Sequence, residues 1–491
     1  MSGENIKSTA SVTQENLDCA RVTWMDLKHL LLGGQRLVGV WGTGYIGYST
    51  LVNFAANGVK CLGTDTVPSI VQAVNEGRVP VANLVYWLGF DPKPLVVAGM
   101  IRATTDWKEL LKDEIAVHMV AIPTEKGDKP WDGALKDVTE KIAKLETKQN
   151  SSPLMIIEST LTPKKTDELV IPILESAGLR VGRDIHVGVA PRRDWFISPE
   201  KNLKTLPRVV GGTTPETTKL MMEVLSVVCD HLVPAIDHKH AEMVKSIENA
   251  YRHVEITLAN QLSLAYPNVD MTEVLKLVGT KWNIGTYHPS FGTGGYCIPL
   301  SSQYLLSGTG HPERLSILKA AVDTDSELPV MVADALASRG AKKVGVLGLC
   351  YKGDLKVHIL SPTLKIVSRL KAKGIEVKVH DPYYLENEIR QIVGAETFSF
   401  PEGMKEFDAI VVVAGHRAYM AVPESMILKS LVNCKLVLDN VEEAWKRIDF
   451  SASGIEYHAA GDRDWLHIGG KNGTQKDLES DRASTTCCSR L

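Results

Sequence analysis

A short β-branched run that ends in glycine and leads straight into helix-period sequence occurs twice, as Val38-Gly39-Val40-Trp41-Gly42 and as Val344-Gly345-Val346-Leu347-Gly348. A strand that turns on glycine into a helix brings the next strand back parallel to the first through a right-handed crossover. Two such starts in one chain read as an internal repeat of the fold. The fold class that follows is α/β, with two Rossmann-like lobes.

The rest of the chain fills in that plan. After the first start, Val59 to Gly63, Ile115 to Ala121, Leu154 to Glu158 and Ile185 to Val189 are strand candidates, alternating with helix-period segments. After the second, the strand candidates are Glu376 to His380, Ala409 to Val413 and Leu436 to Asp439. Alternation of this kind implies parallel sheets covered by helices on both faces. Between the lobes, Met243, Ile247, Ala250, Val254, Leu258, Leu262 and Ala265 recur at helical spacing and predict one long helix from about Asp237, closed by Pro267. The expected organisation is an N-terminal extension over 1–35 with one short helix near Leu27 to Leu32, a dinucleotide lobe over 36–236 and a central helical domain over 237–340. A second lobe over 341–470 and a disordered polar tail over 471–491 complete it.

Composition excludes several classes. A length of 491 residues calls for more than one core, and a net charge of -3 provides no field for gathering nucleic acid. No apolar run reaches the roughly 18 residues of a membrane span, and no signal peptide is evident, so the expectation is a cytoplasmic protein. The eight cysteines show neither metal-ligand spacing nor a disulfide framework. His238, His240 and His253 on the long helix read as solvated or capping residues, and the terminal Cys488-Ser489-Arg490-Leu491 as a poor prenylation box.

Gly42-Thr43-Gly44-Tyr45-Ile46-Gly47 is a G-x-G-x-x-G placed between a strand and a helix. Its glycines allow a tight turn, close backbone approach to a pyrophosphate and close packing of helix on sheet. Asp65 follows the second strand, where a carboxylate accepts from the adenosine ribose hydroxyls and repels a 2′-phosphate, so the expected cofactor is NAD rather than NADP. The second lobe keeps Gly345 and Gly348 but no third glycine, and is expected to bind a different nucleotide or none.

On the long helix, Lys245 and Asn249 share a face at i,i+4 spacing. Downstream, Phe291-Gly292-Thr293-Gly294-Gly295-Tyr296-Cys297-Ile298-Pro299 sets one cysteine among three glycines, a backbone able to fold tightly around a ligand and fix a thiol.

These motifs, in this order, resemble the UDP-glucose/GDP-mannose dehydrogenase family. The fingerprint comes first, then a helix with Ala241-Glu242, Lys245, Glu248-Asn249 and Tyr251-Arg252, then the G-x-GG-x-C-x-P loop. The resemblance spans about residues 36–450, and Arg252 with Cys297-Ile298-Pro299 is more similar to the UDP-N-acetylhexosamine branch. It implies a four-electron, NAD-dependent oxidation of a sugar C6 alcohol to a carboxylate, with Cys297 carrying a thiohemiacetal and then a thioester. It also implies that Lys245 and Asn249 stabilise charge on the C6 oxygen and that Thr160 positions a water. Pro123, Thr124 and Ser159 would line the cofactor. His288, Phe291, Gly292 and Gly294, with Arg252, Lys281, Tyr351 and Lys352, would hold a nucleotide-diphosphate sugar. A homodimer built on the long helix is expected as in the family.

Four positions depart from the family pattern. Ser301 stands for an Asp, Arg192 for a Glu, and Ile359 and Val441 for arginines. The loss of two carboxylates leaves Glu158 and Thr160 to order a water for thioester hydrolysis, since serine is no general base near neutral pH. Besides the full dehydrogenase, two alternatives follow: an altered enzyme that stops at aldehyde or thioester, and a catalytically impaired nucleotide-sugar-binding paralogue.

Overall fold

The structure is a computed structural model and describes residues 27–80, 88–111, 114–146, 152–193, 200–440 and 445–466. Val441, the tail over 471–491 and the extension before Leu27 lie outside the described residues. The chain divides into two compact units, with the division between Glu248 and Asn249.

The first unit is an eight-stranded sheet of β1 (Leu37–Trp41), β2 (Cys61–Thr64), β3 (Ile101–Thr104), β4 (Ile115–Val120), β7 (Leu154–Ile157), β8 (His186–Val189), β9 (Arg208–Gly212) and β10 (Leu232–Pro234). Its order is β10-β9-β8-β7-β4-β1-β2-β3, and a two-stranded hairpin of β5 (Glu125–Lys126) and β6 (Lys129–Pro130) stands apart. The strand order reverses at β1, which pairs parallel with both β2 and β4. The fingerprint turn therefore sits at the switch point, outside the carboxyl end of β1, where open α/β sheets bind ligands. One pair breaks the expected parallel pattern: β8 and β9 run antiparallel.

The short helix Leu27–Leu32 forms as expected and buries Leu27 and Leu31 in the core of this unit. Three strands of this sheet escaped the sequence reading, as did the hairpin strands β5 and β6. β3 alternates an exposed Arg102 with buried neighbours, β9 opens on a buried arginine, and β10 has only three residues. None presents the continuous β-branched run that marks a central strand.

The second unit carries a five-stranded parallel sheet, β11 (Lys343–Leu347), β12 (Glu376–His380), β13 (Ala409–Val412), β14 (Leu436–Asp439) and β15 (Glu456–Ala459), in the order β12-β11-β13-β14-β15. β15 was missed because Glu456, Tyr457 and His458 give it no apolar run.

The repeat holds at the level of single hydrogen bonds. The Gly42 amide donates to Thr64 O and the Gly348 amide to His380 O, both at 2.8 Å, with φ of 82° and 101°. In each lobe an Asp follows the acceptor: Asp65 in the first, Asp381 in the second.

We label the helix after the fingerprint α1 (Tyr45–Ala56), the long helix α2 (His238–Ala265), the helix after the cysteine loop α3 (Ile298–Ser307) and the helix after that α4 (Ser316–Ser338). The sequence stripe on α2 is only partly a core face. Met243, Ile247 and Leu258 are exposed, while Asn249, His253, Thr257 and Asn260 are buried. A helix buries polar groups at such spacing only where they are hydrogen-bonded, and their partners define the site below.

Candidate functional site

Gly42 has a positive φ, and a Cβ on it would lie 2.3 Å from Ala121 O; one on Gly47 would lie 1.8 Å from Gly42 O. No larger residue fits either position, whereas a Cβ on Gly44 would meet nothing within 4 Å, so its backbone is open to a ligand. Asp65 is held on this turn. Its Oδ2 accepts from the Thr43 amide (2.8 Å) and hydroxyl (3.1 Å), and its Oδ1 from the Val67 amide (3.0 Å). The residues fit an NAD with the ribose on Asp65. NAD is expected to bind at least tenfold, about 1.4 kcal/mol, more tightly than NADP. Calorimetric titrations giving equal affinities would remove the ribose-carboxylate argument.

The turns after β4 and β7 lock together. The Ser159 hydroxyl donates to Ile122 O (2.8 Å) and accepts from the Ile122 amide (2.9 Å), and the Thr124 hydroxyl donates to Thr160 O (2.8 Å). Ser159 and Thr124 thus spend their hydroxyls on shaping the pocket wall. Pro123 lies exposed at the tip of this wall, and Thr160 is half-buried.

Two sequence expectations fail here. Arg192 is buried, not poised in a reaction centre: its guanidinium donates to Thr50 Oγ1 (2.5 Å) and Ser49 Oγ (3.0 Å) on α1. Glu158 is not available to order a water. Its Oε2 accepts from Thr50 (2.6 Å), and its Oε1 accepts from Arg208 (2.5 Å) and lies 3.8 Å from Arg192. A fully buried carboxylate with two guanidiniums is a structural clamp between α1, β7 and β9. Removing one member of such a cluster leaves uncompensated buried charge, so Glu158→Ala is expected to cost about 3 kcal/mol of unfolding free energy. Denaturant melts showing no loss would contradict the clamp.

Two other motif residues prove structural. Glu242, its pKa raised by burial, accepts from the Lys164 amide (2.8 Å) and the Thr166 amide and hydroxyl (both 3.0 Å). Glu248 pairs with Arg193 at 2.6 Å. Together they dock the start of α2 on the turns that follow Thr160 and Ala190. His238, expected to be solvated or capping, is buried at the first position of α2 with its Nε2 2.8 Å from Asp167.

In the second unit the cysteine loop is anchored residue by residue. Ser290 N donates to Asn260 (2.7 Å), Phe291 N to Asn440 (2.6 Å) and Thr293 N to Asp325 (2.8 Å). The Phe291 ring stacks on Trp465 at 5.7 Å. Gly294 is required by its neighbour, because a Cβ there would lie 2.3 Å from the Tyr351 Cβ, and the Gly295 amide donates to Ile359 O at 2.8 Å. The space beside these glycines thus belongs to Tyr351 rather than to a ligand alone, and Ile359 serves the loop through its carbonyl.

Cys297 stands exposed immediately before α3. Behind it the Ser301 hydroxyl donates to Cys297 O (2.5 Å) and accepts from Asn249 Nδ2 (3.0 Å). Asn249 is therefore tied to the turn that presents the thiol, and its second amide proton remains to donate elsewhere. Lys245 is half-buried one turn earlier on α2. Arg252 donates through Nε to the Tyr287 hydroxyl (3.1 Å). Burial, then the Arg252 cation, bring the Lys352 ammonium down to about 8. Lys281 and His288 are exposed, and the structure brings neither to a partner that would place it in the site.

Sequence reasoning missed Tyr287, Asp325, Ser302, Asn260 and Asn440, and dismissed His253, which is fully buried. The available signal was the polar spacing 249, 253, 260 along one helix face.

Cys350, Asp381 and His416 bring three potential metal donors within 4.8 Å of one another, although their sequence spacing suggested nothing. His416 Nδ1 accepts from the Asp354 amide (3.0 Å), so Nε2 carries the proton and donates to Asp381 (3.2 Å). Asp381 also accepts from the Leu349 and Cys350 amides. The cluster is a satisfied hydrogen-bond network that stiffens the loop bearing Tyr351 and Lys352. It also buries the carboxylate that corresponds to Asp65, which removes it from ligand binding in this lobe.

The chain matches three models of the UDP-glucose/GDP-mannose dehydrogenase family: the NAD binding domain over 36–228, the central domain over 239–327 and the UDP binding domain over 345–443. The chain belongs to this family. Among its relatives, UDP-N-acetyl-D-mannosamine dehydrogenase of Pyrococcus horikoshii is 28% identical over 421 residues, covering 82% of this chain and 94% of the relative. UDP-glucose 6-dehydrogenase AglM of Haloferax volcanii is 27% identical over 377 residues, covering 71% and 84%. The solved structure of a UDP-D-ManNAc dehydrogenase from Pyrococcus horikoshii superposes with a TM-score of 0.75 at 27% identity, covering 87% of this chain and 99% of that one. With membership in the UDP-glucose/GDP-mannose dehydrogenase family goes NAD-dependent nucleotide-sugar dehydrogenase activity, and the second lobe matches a UDP binding domain.

Proposed function

We propose that the protein oxidises the C6 hydroxyl of a UDP-hexose, in the first place a UDP-N-acetylhexosamine, to the uronate through Cys297. The observation that carries this reading is the presentation of Cys297: an exposed thiol at the head of α3, on a loop anchored at Ser290, Phe291, Thr293, Gly295 and Ser301.

Gly42, Gly44, Tyr45, Ile46, Gly47 and Asp65 would hold NAD, which would supply the hydride acceptor for each of two rounds. In the first round the C6 alcohol loses a proton and a hydride to become the aldehyde, whose carbonyl carbon bonds to the Cys297 sulfur. Lys245 and the free amide proton of Asn249 stabilise the C6 oxyanion of that adduct. Loss of a second hydride makes the thioester, and a water positioned by Thr160 cleaves it, returning the thiol and the carboxylate. Arg252, Lys281, Tyr351 and Lys352, with the loop from His288 to Gly294, hold the nucleotide sugar. The domains are assigned as 36–236 for NAD, 237–340 for the cysteine loop and dimerisation, and 341–470 for the UDP sugar.

Support for a homodimer is the apolar face of α2, where Met243, Ile247, Tyr251 and Leu258 are exposed. Among the described residues no helix is long and apolar enough to cross a membrane, and we assign the activity to the cytoplasm in uronic acid synthesis for polysaccharide or glycoconjugate.

The test is NADH absorbance against a panel of UDP-, GDP- and TDP-sugars, with product mass analysis. Two NADH per UDP-N-acetylhexosamine supports the proposal, and oxidation of GDP-sugars alone overturns the substrate. A pH dependence accompanies it. Lys352 binds an anionic substrate only as the ammonium, so KM is expected to rise as pH passes upward through about 8, with proton uptake on binding at and above that pH. Lys352→Arg, charged throughout, should flatten that profile.

A second reading is favoured by Ser301, whose hydroxyl is committed to both Cys297 O and Asn249 and cannot activate water. It is an enzyme slow to leave the thioester.

A further inference from the structure

Both ends of the cysteine segment converge on one buried histidine. His253, on α2 and wholly inaccessible, has Nδ1 2.8 Å from the Ser302 hydroxyl on α3. Its Nε2 lies 3.0 Å from Asp325 Oδ2 on α4, an approach bent away from ideal hydrogen-bond alignment. Asp325 in turn accepts from the Thr293 amide (2.8 Å) and, through Oδ2, from the Thr293 hydroxyl. The order of contacts is Ser302, His253, Asp325, Thr293, and Cys297 lies between the two ends. Burial excludes this arrangement from attack on any substrate: Ser302 and His253 have no exposed surface, and Asp325 retains about a tenth of its side chain's exposure.

We propose that His253 is a positioning residue for Cys297, holding the loop end at Thr293 and the helix end at Ser302 in fixed relation. The argument rests on the reading of Cys297 as nucleophile. Asn249 and His253 are four residues apart on α2 and grip the adjacent Ser301 and Ser302 in the first turn of α3. Pro299 has no amide proton and the Ser301 amide donates to Cys297 O, so that first turn offers the Ile298 and Leu300 amides, whose partial positive charge acts on a group placed at the helix start. The charge acts on the sulfur only while the turn stays wound and the loop stays in register. One imidazole provides an acceptor to Ser302 and a donor toward Asp325 at once, which no aliphatic side chain of similar volume does.

The experiment uses the full chain and reads Cys297 directly, without substrate. The rate of Cys297 alkylation by iodoacetamide at neutral pH is followed by peptide mass analysis, beside kcat and KM for the preferred sugar nucleotide, NAD affinity and thermal melting. His253→Leu is expected to slow alkylation at least about fivefold and lower kcat at least about tenfold, with KM and NAD affinity within about threefold of wild type. His253→Gln, which keeps an acceptor and a donor, should recover both rates to within about threefold. Ser302→Ala should slow alkylation in the same direction, and the His253→Leu/Ser302→Ala pair should lose no more than His253→Leu alone. Wild-type alkylation in folded His253→Leu, additive losses in the pair, or no recovery with glutamine overturns the assignment. Should no sugar nucleotide be oxidised by the wild type, the proposed function falls, while the alkylation series still decides the role of His253.

Discussion

Cys297→Ser is expected to abolish the second hydride transfer while leaving NAD binding intact. The alcohol of serine is a far poorer nucleophile toward an aldehyde than a thiolate, and an ester formed from it would leave slowly. The fall in uronate formation should be at least about a thousandfold, the scale seen when a covalent nucleophile is removed. The hydroxyl is smaller than the thiol and the loop is held by contacts that do not involve Sγ, so the variant should fold normally. Full uronate product at the wild-type rate would refute the covalent route.

The second large effect concerns release. With a true substrate the enzyme is expected to accumulate a covalent adduct on Cys297, visible by intact-protein mass spectrometry as an added sugar-nucleotide mass. The reason is local: Ser301 gives its proton to Cys297 O and takes one from Asn249, so neither function of the hydroxyl is free for water. Ser301→Asp keeps an acceptor for Asn249 and adds a carboxylate one helical turn from the sulfur. Its adduct lifetime should fall about tenfold or more, the lower range of general base catalysis. Rapid turnover in the wild type with two NADH per sugar and no adduct would mean that another group hydrolyses the thioester. Arg192→Glu is not expected to assist hydrolysis, although Arg192 stands where the family pattern has a Glu. It would set a second carboxylate against buried Glu158 and strip Ser49 and Thr50 of their donor, and would act on folding rather than on hydrolysis.

Much of the fold was legible because its signals are local. β1, β4 and β11 are dominated by apolar residues, and Gly42 stands in a fingerprint readable from its immediate neighbours. β9 and β15 were not legible, because Arg208 and Glu456 carry no apolar signal of their own and become strand residues only by pairing with Leu232 and Leu436 on the neighbouring strands. The candidate site divides in the same way. Asp65 stands at a motif spacing, and Cys297, Lys245 and Asn249 stand in segments that resemble the family's motifs, so all four could be named at once.

The jobs of Arg192, Glu158, Ser301 and His253 were set elsewhere. Whether a charged or polar side chain serves reaction or structure depends on what lies within hydrogen-bond reach after folding, since burial makes an unpaired polar group costly and a paired one a clamp. Thr50 for Glu158, Ser49 for Arg192, Asn249 for Ser301 and Asp325 for His253 are partners between 52 and 143 residues distant, and no periodicity announces them. The sequence by itself determined the two lobes and the cofactor turn, and it singled out Cys297, the nucleophile we propose. The tertiary structure alone decided which of the remaining charges face chemistry and which hold the scaffold, because that choice is made by contacts that exist only once the chain has closed on itself.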